Sequence, residues 1–224
     1  IKDVIHYHPD IVLSITDSVP DFICGLKVQI FHGFNAEKRK SNRDHFRIRG
    51  LFDLYCTQGP STTSVFKELQ KADPHFEVIE TGWSKVDPLF PIEKNAEISN
   101  PPKVIIASTF TERLSLAIRD DGFEEIKRLS EKGTFNFKMV LHPKRPDQVK
   151  AKWRELKNEH FQLFDTTYLN PLFKEADVML SDTTSAIQEF GLQLKPTVTL
   201  NHHIPVPYLI NITEVDEIES ALKK

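Results

Sequence analysis

Short apolar segments alternate with longer amphipathic segments along most of the chain, and this alternation limits the fold more than any other feature of the sequence. Strands of four to seven residues separated by helices of about ten are typical of parallel sheets with crossover helices. The predicted strands are residues 10–16, 26–31, 52–57, 76–79, 104–107, 137–141, 161–164, 177–180 and 197–200. The predicted helices are residues 60–72, 114–132, 148–158, 184–192 and 213–222.

The alternation is interrupted once, by a polar stretch bounded by prolines at residues 91–102, which predicts a linker. The fold class is therefore α/β, with two Rossmann-like domains, each a doubly wound parallel sheet. Residues 1–90 are predicted to form the first domain and residues 103–224 the second.

Composition excludes several classes of function. The formal net charge of the 224 residues is −3, so no bulk attraction to nucleic acid is expected. The sequence has no Gly-rich phosphate loop of the Walker or dinucleotide-binding type, which argues against an ordinary kinase, NTPase or dehydrogenase. No apolar run reaches the roughly 18 residues of a membrane span, and no signal peptide is visible. The histidine pairs at residues 6/8 and 202/203 lack converging ligand spacing, so neither a metal site nor a cofactor is predicted.

Polar residues follow several predicted strands, and ligands of doubly wound sheets bind at these carboxyl ends. His32 and Gly33 follow residues 26–31, and His142 follows residues 137–141 with Lys144 and Arg145 close behind. A histidine can act as a base near neutral pH, and adjacent cations suit a phosphate or diphosphate. A solvated loop histidine and ordinary surface cations remain the alternative interpretation at each place.

A run of hydroxyl and carboxyl residues opens the helix predicted from residue 184. Such a run suits an anion because free N–H groups and the helix dipole favour negative charge there, although plain N-capping uses the same residue types. Thr109 and Arg113 follow residues 104–107 in a similar polar loop, for which a solvated loop is an equal alternative. The run consists of Ser181, Asp182, Thr183, Thr184 and Ser185.

Several of these segments, in this order, resemble the motifs of CDP-glycerol glycerophosphotransferases, which take part in teichoic-acid-type polymer synthesis. The likeness runs from about residue 29 to residue 200. Phe31 stands where the family usually has Trp, Ser108 replaces a proline and Thr183 replaces Tyr. The matching segments are Gln29-Ile30-Phe31-His32-Gly33, residues 81–87 (TGWSKVD), residues 105–110 (IIASTF), Leu141-His142-Pro143, residues 176–185 (ADVMLSDTTS) and Lys195-Pro196.

The resemblance implies a GT-B-like fold with two facing α/β domains, and it implies that the start of the first domain is missing from this chain. It also implies transfer of glycerol phosphate, or a similar polyol phosphate, from a CDP-activated donor to a hydroxyl of a lipid-linked or polysaccharide acceptor. His32 would be the general base and His142 would contact the donor diphosphate with Lys144 or Arg145.

The remaining roles also come from the resemblance or from GT-B enzymes in general. The hydroxyl run, with Thr109 and Arg113, would bind the donor phosphates, and Glu189 would bind a ribose hydroxyl. Gly33 and Gly82 are predicted to allow close approach of the backbone.

Two other readings stay open. A GT-B sugar transferase or a UDP-GlcNAc 2-epimerase-like enzyme would use the same phosphate site. A non-catalytic nucleotide-binding module would bind a donor without turnover.

A basic stretch predicts contact with an anionic polymer or an anionic membrane surface, with a solvated helix face as the alternative. The family's lipid-linked acceptors imply a cytoplasmic protein that is peripheral on the inner face of the bacterial cell membrane. The six cations are Lys38, Arg39, Lys40, Arg43, Arg47 and Arg49.

Overall fold

A computed structural model describes residues 2–31, 33, 46, 48–92, 97–202 and 206–224 of the chain. The chain divides into two compact units, Ile1–Asp87 and Pro88–Lys224. Each unit contains one sheet in which all strand pairs are parallel.

The first unit is built on a four-stranded sheet with the order β1-β2-β3-β4. The helix α2 starts with Pro60 in its first turn, as the sequence predicts, because a helix start needs no N–H at that position. The elements are α1 (Lys2–Tyr7), β1 (Ile11–Ser14), β2 (Leu26–Ile30), β3 (Leu54–Thr57), α2 (Pro60–Ala72), β4 (Glu77–Glu80) and a 3₁₀ helix (Ser84–Leu89).

The second unit is built on a six-stranded sheet with the order β10-β9-β8-β5-β6-β7. Its strands are β5 (Lys103–Ser108), β6 (Asn136–Leu141), β7 (Phe161–Phe164), β8 (Val178–Ser181), β9 (Thr197–Leu200) and β10 (Leu209–Ile212). Its α-helices are α3 (Asp120–Glu131), α4 (Asp147–Glu155), α5 (Asn170–Glu175), α6 (Ala186–Gly191) and α7 (Ile218–Leu222), with 3₁₀ helices at Glu112–Leu114, Leu116–Ile118 and Val215–Glu217.

All predicted strands are present, with ends shifted by up to two residues, but several predicted helices were wrong in extent. The helix predicted from residue 114 is two 3₁₀ turns followed by α3, and the helix predicted from residue 184 starts two residues later. The elements α1, α5 and β10 were not predicted, because each has only four to six residues and shows too little periodicity to stand out.

Two predicted helix ends can be compared directly with the structure. The sequence predicts Gly133 as the C′ residue of the helix that ends at residue 132, and the structure confirms this, because Gly133 follows α3 with a φ of +67°. For the last helix, the spacing of Thr213 and Asp216 in the sequence predicts a capping pair, and this prediction is wrong by one residue. The Glu217 carboxylate accepts the Thr213 N–H at 3.0 Å and the Glu214 N–H at 2.9 Å, because it lies three residues after the true N-cap, Glu214.

Each unit has its own apolar core. In the second unit, Trp153 is fully buried, stacks on Phe161 and donates its indole N–H to the Ala117 carbonyl at 2.8 Å. In the first unit, Phe66 of α2 packs against Tyr55 of β3 on one face of the sheet. Burial of these aromatic side chains is a main source of stability in each unit.

The other face of the first sheet is apolar and largely exposed. Ile11 and Leu26 pair in register on neighbouring strands, and both are more than half exposed. Leu13 is 64% exposed and Ile79 is 53% exposed. Parallel sheets usually carry helices on both faces, and among the described residues of the first unit these apolar side chains stay exposed. Among the described residues, no helix has the length and apolar composition needed to cross a membrane.

Candidate functional site at the carboxyl edge of the second sheet

Three neighbouring strands of the second sheet, β8, β5 and β6, end at the same edge because all of them are parallel. The segments that follow them are residues 182–185, 109–117 and 142–146. These segments contain most of the residues that the sequence predicts for donor binding. The strand order therefore brings three separate polar segments to one edge, as expected of a ligand site in this class of fold.

Asp182 lies at the centre of this edge, and its carboxylate is fully buried. The Ser108 hydroxyl donates to its Oδ2 at 2.5 Å and the Leu116 N–H at 3.0 Å. Its Oδ1 accepts the Thr109 N–H at 2.9 Å and the Thr183 N–H at 2.5 Å. Burial raises the pKa of Asp182, and these four hydrogen bonds oppose that rise. The carboxylate is thus committed to donors within the protein and joins the segments after β5 and β8.

Ser108 extends this network, and its role was missed in the sequence, where it was noted only as a departure from the family pattern. Its hydroxyl lies 2.8 Å from the Ser115 hydroxyl and accepts the Ala117 N–H at 3.2 Å. Pairing of β5 with β8 sets Ala107 opposite Ser181. The residues that follow these two are Ser108 and Asp182, so their side chains lie close together. A hydroxyl at the end of an otherwise apolar strand was the available signal.

The hydroxyl residues after β8 differ in their surroundings. The Ser181 hydroxyl donates to the Ala107 carbonyl at 2.6 Å and is buried. Thr183 is 1% exposed, and its Oγ1 has no hydrogen-bond partner among the described residues. Thr184 and Ser185 are partly exposed, and Thr184 Oγ1 accepts the Ala186 N–H at 3.4 Å. Since α6 has only six residues, its dipole adds less to anion binding than the sequence suggested.

His142 follows β6 and is held in one tautomer. Its Nδ1 accepts the backbone N–H of Lys144 at 3.1 Å, which leaves the ring proton of the neutral form on Nε2. The Phe110 ring, which follows β5, packs against the imidazole with 4.5 Å between ring centroids. The Lys144 ammonium lies 5.5 Å from the centroid of the same ring. Phe110 was not predicted as a site residue, although it is 41% exposed and follows a strand end.

Arg145 is in the same loop but is buried, in contrast to Lys144. One guanidinium nitrogen donates to the Thr109 carbonyl, and its Nε has no hydrogen-bond partner among the described residues. Burial lowers the pKa of Arg145, while the carboxylates of Asp182 and Glu112 oppose that change. Arg145 therefore links the loops after β6 and β5 from within the protein.

The two other residues predicted for this unit are Arg113 and Glu189, and they differ in exposure. Arg113 is exposed in the 3₁₀ turn Glu112–Leu114. Glu189 is buried in α6. Within the described part of the chain, no group of three His, Cys, Asp or Glu side chains is arranged to hold a metal ion.

In the first unit, two of the family-like segments are joined. The indole N–H of Trp83 donates to the Phe31 carbonyl at 2.6 Å, and the Gln58 side-chain amide donates to the Gly33 carbonyl at 3.0 Å. His32, the predicted base, lies outside the described residues.

Gly82 has a φ of +76°, and a Cβ there would meet no atom within 4 Å. The positive φ favours glycine in this turn, and close approach of a ligand to the Gly82 backbone stays a prediction.

The basic stretch of the first unit is described only in part. Lys38, Arg39, Lys40, Arg43 and Arg47 lie outside the described residues. Arg49 is described and forms an ion pair with Asp17 at 2.7 Å.

No protein-family profile and no curated protein matches the chain. Solved structures do match. A variant of the wall teichoic acid polymerase TagF soaked with CDPG is 15% identical with a TM-score of 0.62, and the match covers 96% of this chain and 62% of TagF. The UDP-GlcNAc 2-epimerase from Methanocaldococcus jannaschii is 13% identical with a TM-score of 0.61, covering 100% of this chain and 72% of the epimerase.

A third match is the complex of S. aureus MnaA with UDP, at 13% identity and a TM-score of 0.60, covering 88% of this chain and 60% of MnaA. The chain thus spans less than two thirds of the length of MnaA and of TagF. Identities this low report the fold alone. The chain has the GT-B-like fold of these enzymes, an α/β protein with two all-parallel sheets of four and six strands.

Proposed function

We propose that the protein transfers glycerol phosphate, or a similar polyol phosphate, from a CDP-linked donor to a hydroxyl of a lipid-linked or polysaccharide acceptor. In this proposal residues 103–224 bind the donor, residues 1–90 bind the acceptor and residues 91–102 join the two. The observation that carries it is the convergence of His142, Lys144 and residues 183–185 at one edge of the second sheet.

The donor diphosphate is assigned to groups that can donate hydrogen bonds or supply positive charge. His142 has its ring proton on Nε2 and can therefore donate to a phosphate oxygen, and the nearby Lys144 ammonium adds charge. Thr183, Thr184 and Ser185 supply hydroxyl donors after β8, while the Thr183 N–H is already used by the Asp182 carboxylate. Such preorganised donors stabilise the charge that develops on a leaving phosphate.

Asp182 and Arg145, which are predicted from the sequence to bind phosphate, receive a different role in this proposal. The Asp182 carboxylate is occupied by four protein donors and would repel a phosphate, and the Arg145 guanidinium is buried against the Thr109 carbonyl. We assign both as residues that position the loops after β5, β6 and β8. The proposal keeps four further residues in the donor-binding part of the chain, residues 103–224. They are Thr109, Arg113, Ser181 and Glu189.

The reaction balances without a metal or an external oxidant. A hydroxyl oxygen of the acceptor attacks the β-phosphorus of the donor, the bond from that phosphorus to the bridging oxygen breaks, and CMP leaves. The hydroxyl proton passes to a base, which the motif resemblance assigns to His32. Support for this base comes from the sequence pattern of residues 29–33.

A second candidate is a UDP-sugar enzyme of the 2-epimerase type. Two of the solved structures discussed above favour it, since an epimerase and a UDP complex match this fold as well as TagF does. The two candidates differ in the base of the nucleotide and in the need for an acceptor.

Calorimetric titration with CDP-glycerol, CDP and UDP-GlcNAc separates the candidates. The phosphotransferase proposal expects binding of both cytidine compounds and at least tenfold weaker binding in Thr184→Ala/Ser185→Ala. Ser220→Ala in α7 is the matched control, because it removes one hydroxyl from the second unit away from this edge. Preferential binding of UDP-GlcNAc would overturn the proposal in favour of the epimerase.

Turnover decides between an enzyme and a binding module. Release of CMP from CDP-glycerol in the presence of a hydroxyl acceptor, and its loss in His32→Ala with donor affinity unchanged, are expected of the phosphotransferase. Binding without turnover, unaffected by His32→Ala, would instead favour a nucleotide-binding module.

We also propose contact of the basic stretch with anionic lipid at the cytoplasmic face of the membrane, where a lipid-linked acceptor would reside. Reversal of Arg43 and Arg47 to Glu is expected to weaken sedimentation with anionic vesicles at low salt. Arg49→Gln is the internal comparison, and a smaller effect is expected there because Arg49 is already paired with Asp17. Unchanged sedimentation of the double reversal would remove this part of the proposal.

A further inference from the structure

The Phe110 ring contacts two side chains of the loop after β6, His142 and Lys144. The ring packs against the His142 imidazole at 4.5 Å between centroids, with an angle of 41° between the ring planes. The Lys144 ammonium lies 5.5 Å from the ring centroid, within the range of a cation–π interaction. We propose that Phe110 is a positioning residue that fixes the His142 imidazole and the Lys144 ammonium toward the donor.

Hydrogen bonds that do not involve the ring hold the backbone next to Phe110. The N–H of Thr109 donates to the buried Asp182 carboxylate, and the Thr109 carbonyl accepts from Arg145. Arg145 belongs to the same loop as His142 and Lys144. The two loops are therefore tied together beside the ring, and the ring side chain itself can be changed without removing that tie.

The contacts of the imidazole restrict it in two ways. The Lys144 N–H fixes the lone pair on Nδ1, and the Phe110 ring fixes the plane of the imidazole. Either contact alone would leave one motion of the imidazole possible. The hydrogen bond alone permits the ring to tilt, and the stacking contact alone permits the ring to flip. Together they define one orientation and one tautomer, with the proton on Nε2.

A ring at this place does more than fill space. Phe110 remains 41% exposed beside His142 and Lys144, so burial of apolar area is a weak reason for its presence. An aliphatic side chain would give similar apolar contact but would lack the π face that attracts the Lys144 ammonium. The orientation of both groups is thus expected to depend on the aromatic ring.

Nitrogen-detected NMR of the histidine rings in the full chain tests this inference, with the His142 signals identified by their absence from His142→Gln. The wild type is expected to show the Nε2–H tautomer and an upfield ring-current shift of the imidazole protons. Phe110→Leu is expected to give mixed tautomers and to lose that shift, and Phe110→Tyr is expected to restore both. Tyr168→Ala, which removes an exposed aromatic ring elsewhere in the second unit, is the matched control.

Affinity gives the second measurement. If the ring positions His142 and Lys144, Phe110→Leu weakens CDP binding by about threefold to tenfold, as expected for the loss of one aromatic contact, while Phe110→Tyr does not. This measurement rests on the proposed function, but the NMR measurement does not. An unchanged tautomer and unchanged shift in Phe110→Leu would overturn the inference whatever the chain binds. A wild-type chain that binds no cytidine nucleotide would overturn the proposed function and leave the NMR result to decide the role of Phe110.

Discussion

The Ser108 hydroxyl donates to the Asp182 carboxylate at 2.5 Å across the boundary between β5 and β8. These residues are 74 positions apart in the sequence, and the contact joins the two loops that carry much of the proposed donor site. The same carboxylate accepts three backbone N–H groups, so one buried side chain sets the conformation of both loops. Loss of this one acceptor is therefore expected to disturb both loops together.

Replacing Asp182 by Asn is expected to reduce the free energy of unfolding of the second unit by about 2–3 kcal/mol. The new amide NH₂ would face the Leu116 N–H or the Thr109 N–H, and two donors cannot satisfy each other. Denaturant unfolding measures the stability, and calorimetry with CDP is expected to show weakened binding in the same variant.

Asp177→Asn is the matched control for that experiment. Asp177 lies just before the amino end of β8, the strand that Asp182 follows. Its Oδ2 accepts the N–H groups of Lys103 at 2.8 Å and Ser99 at 3.3 Å. It should lower stability by about 1 kcal/mol and leave CDP affinity unchanged. Equal loss of affinity in the two variants would contradict a specific role for Asp182 at the carboxyl edge.

Removing the indole donor in Trp83→Phe is expected to lower turnover more than donor affinity. The Phe31 carbonyl would lose its 2.6 Å hydrogen bond, and the segment that leads to His32 would be held less firmly. A cost of about 1–2 kcal/mol to the first unit is also expected, since a mostly buried carbonyl loses its donor.

Lys85→Met serves as the comparison for Trp83→Phe. It removes the ammonium 5.0 Å from the Trp83 ring but keeps the indole hydrogen bond, so a smaller effect on turnover is expected. Steady-state measurement of kcat and KM for the donor distinguishes the two variants. A raised donor KM with an unchanged kcat in Trp83→Phe would speak against placing the acceptor in the first unit.

Alkaline pH is expected to destabilise the first unit through Tyr55. Burial raises the pKa of Tyr55 from 10.0 to about 12, while the charge of Arg49 opposes the rise and the charge of Asp73 adds to it. Between these two values the unfolded chain has lost the phenol proton and the folded chain keeps it. Stability therefore falls as pH rises from about 10 toward 12, by at most about 2–3 kcal/mol.

Ultraviolet titration of phenolate in the folded chain, compared with Tyr55→Phe, locates this ionisation. The difference between the two curves is expected near pH 12, and the fall in stability should be smaller in the variant. A difference centred near the ordinary tyrosine value would show that Tyr55 is open to solvent.

Substitutions on the two faces of the first sheet are expected to differ strongly in cost. Leu13 on the exposed face is 64% exposed, so Leu13→Ser should lower stability by less than about 1 kcal/mol. Phe66 is 1% exposed and packs against Tyr55 and Phe31, so Phe66→Ala should cost about 3–5 kcal/mol. Hydrogen exchange resolved by peptide assigns each change to the first unit, and a large cost for Leu13→Ser would mean that the exposed face is covered in solution.

The sequence by itself determined the class of fold and the segments that bear polar residues. Apolar runs such as residues 104–107 and 137–141 can satisfy their backbone groups and bury their side chains only in a sheet with crossover helices. The pattern is therefore local, and it can be recognised in the sequence. The polar residues that follow each run could be recognised for the same reason. Short elements such as α5 and β10 could not, because packing and not periodicity creates them.

Only the tertiary structure decided which of those polar residues face a ligand and which hold the protein together. The order of strands places β5 between β8 and β6, and this order results from long-range pairing that no local propensity encodes. Burial then gave Asp182 and Arg145 internal partners, while Lys144 stayed exposed beside the Phe110 ring. The physical reason is that a buried charge must be matched by protein groups, and those groups come from distant parts of the chain.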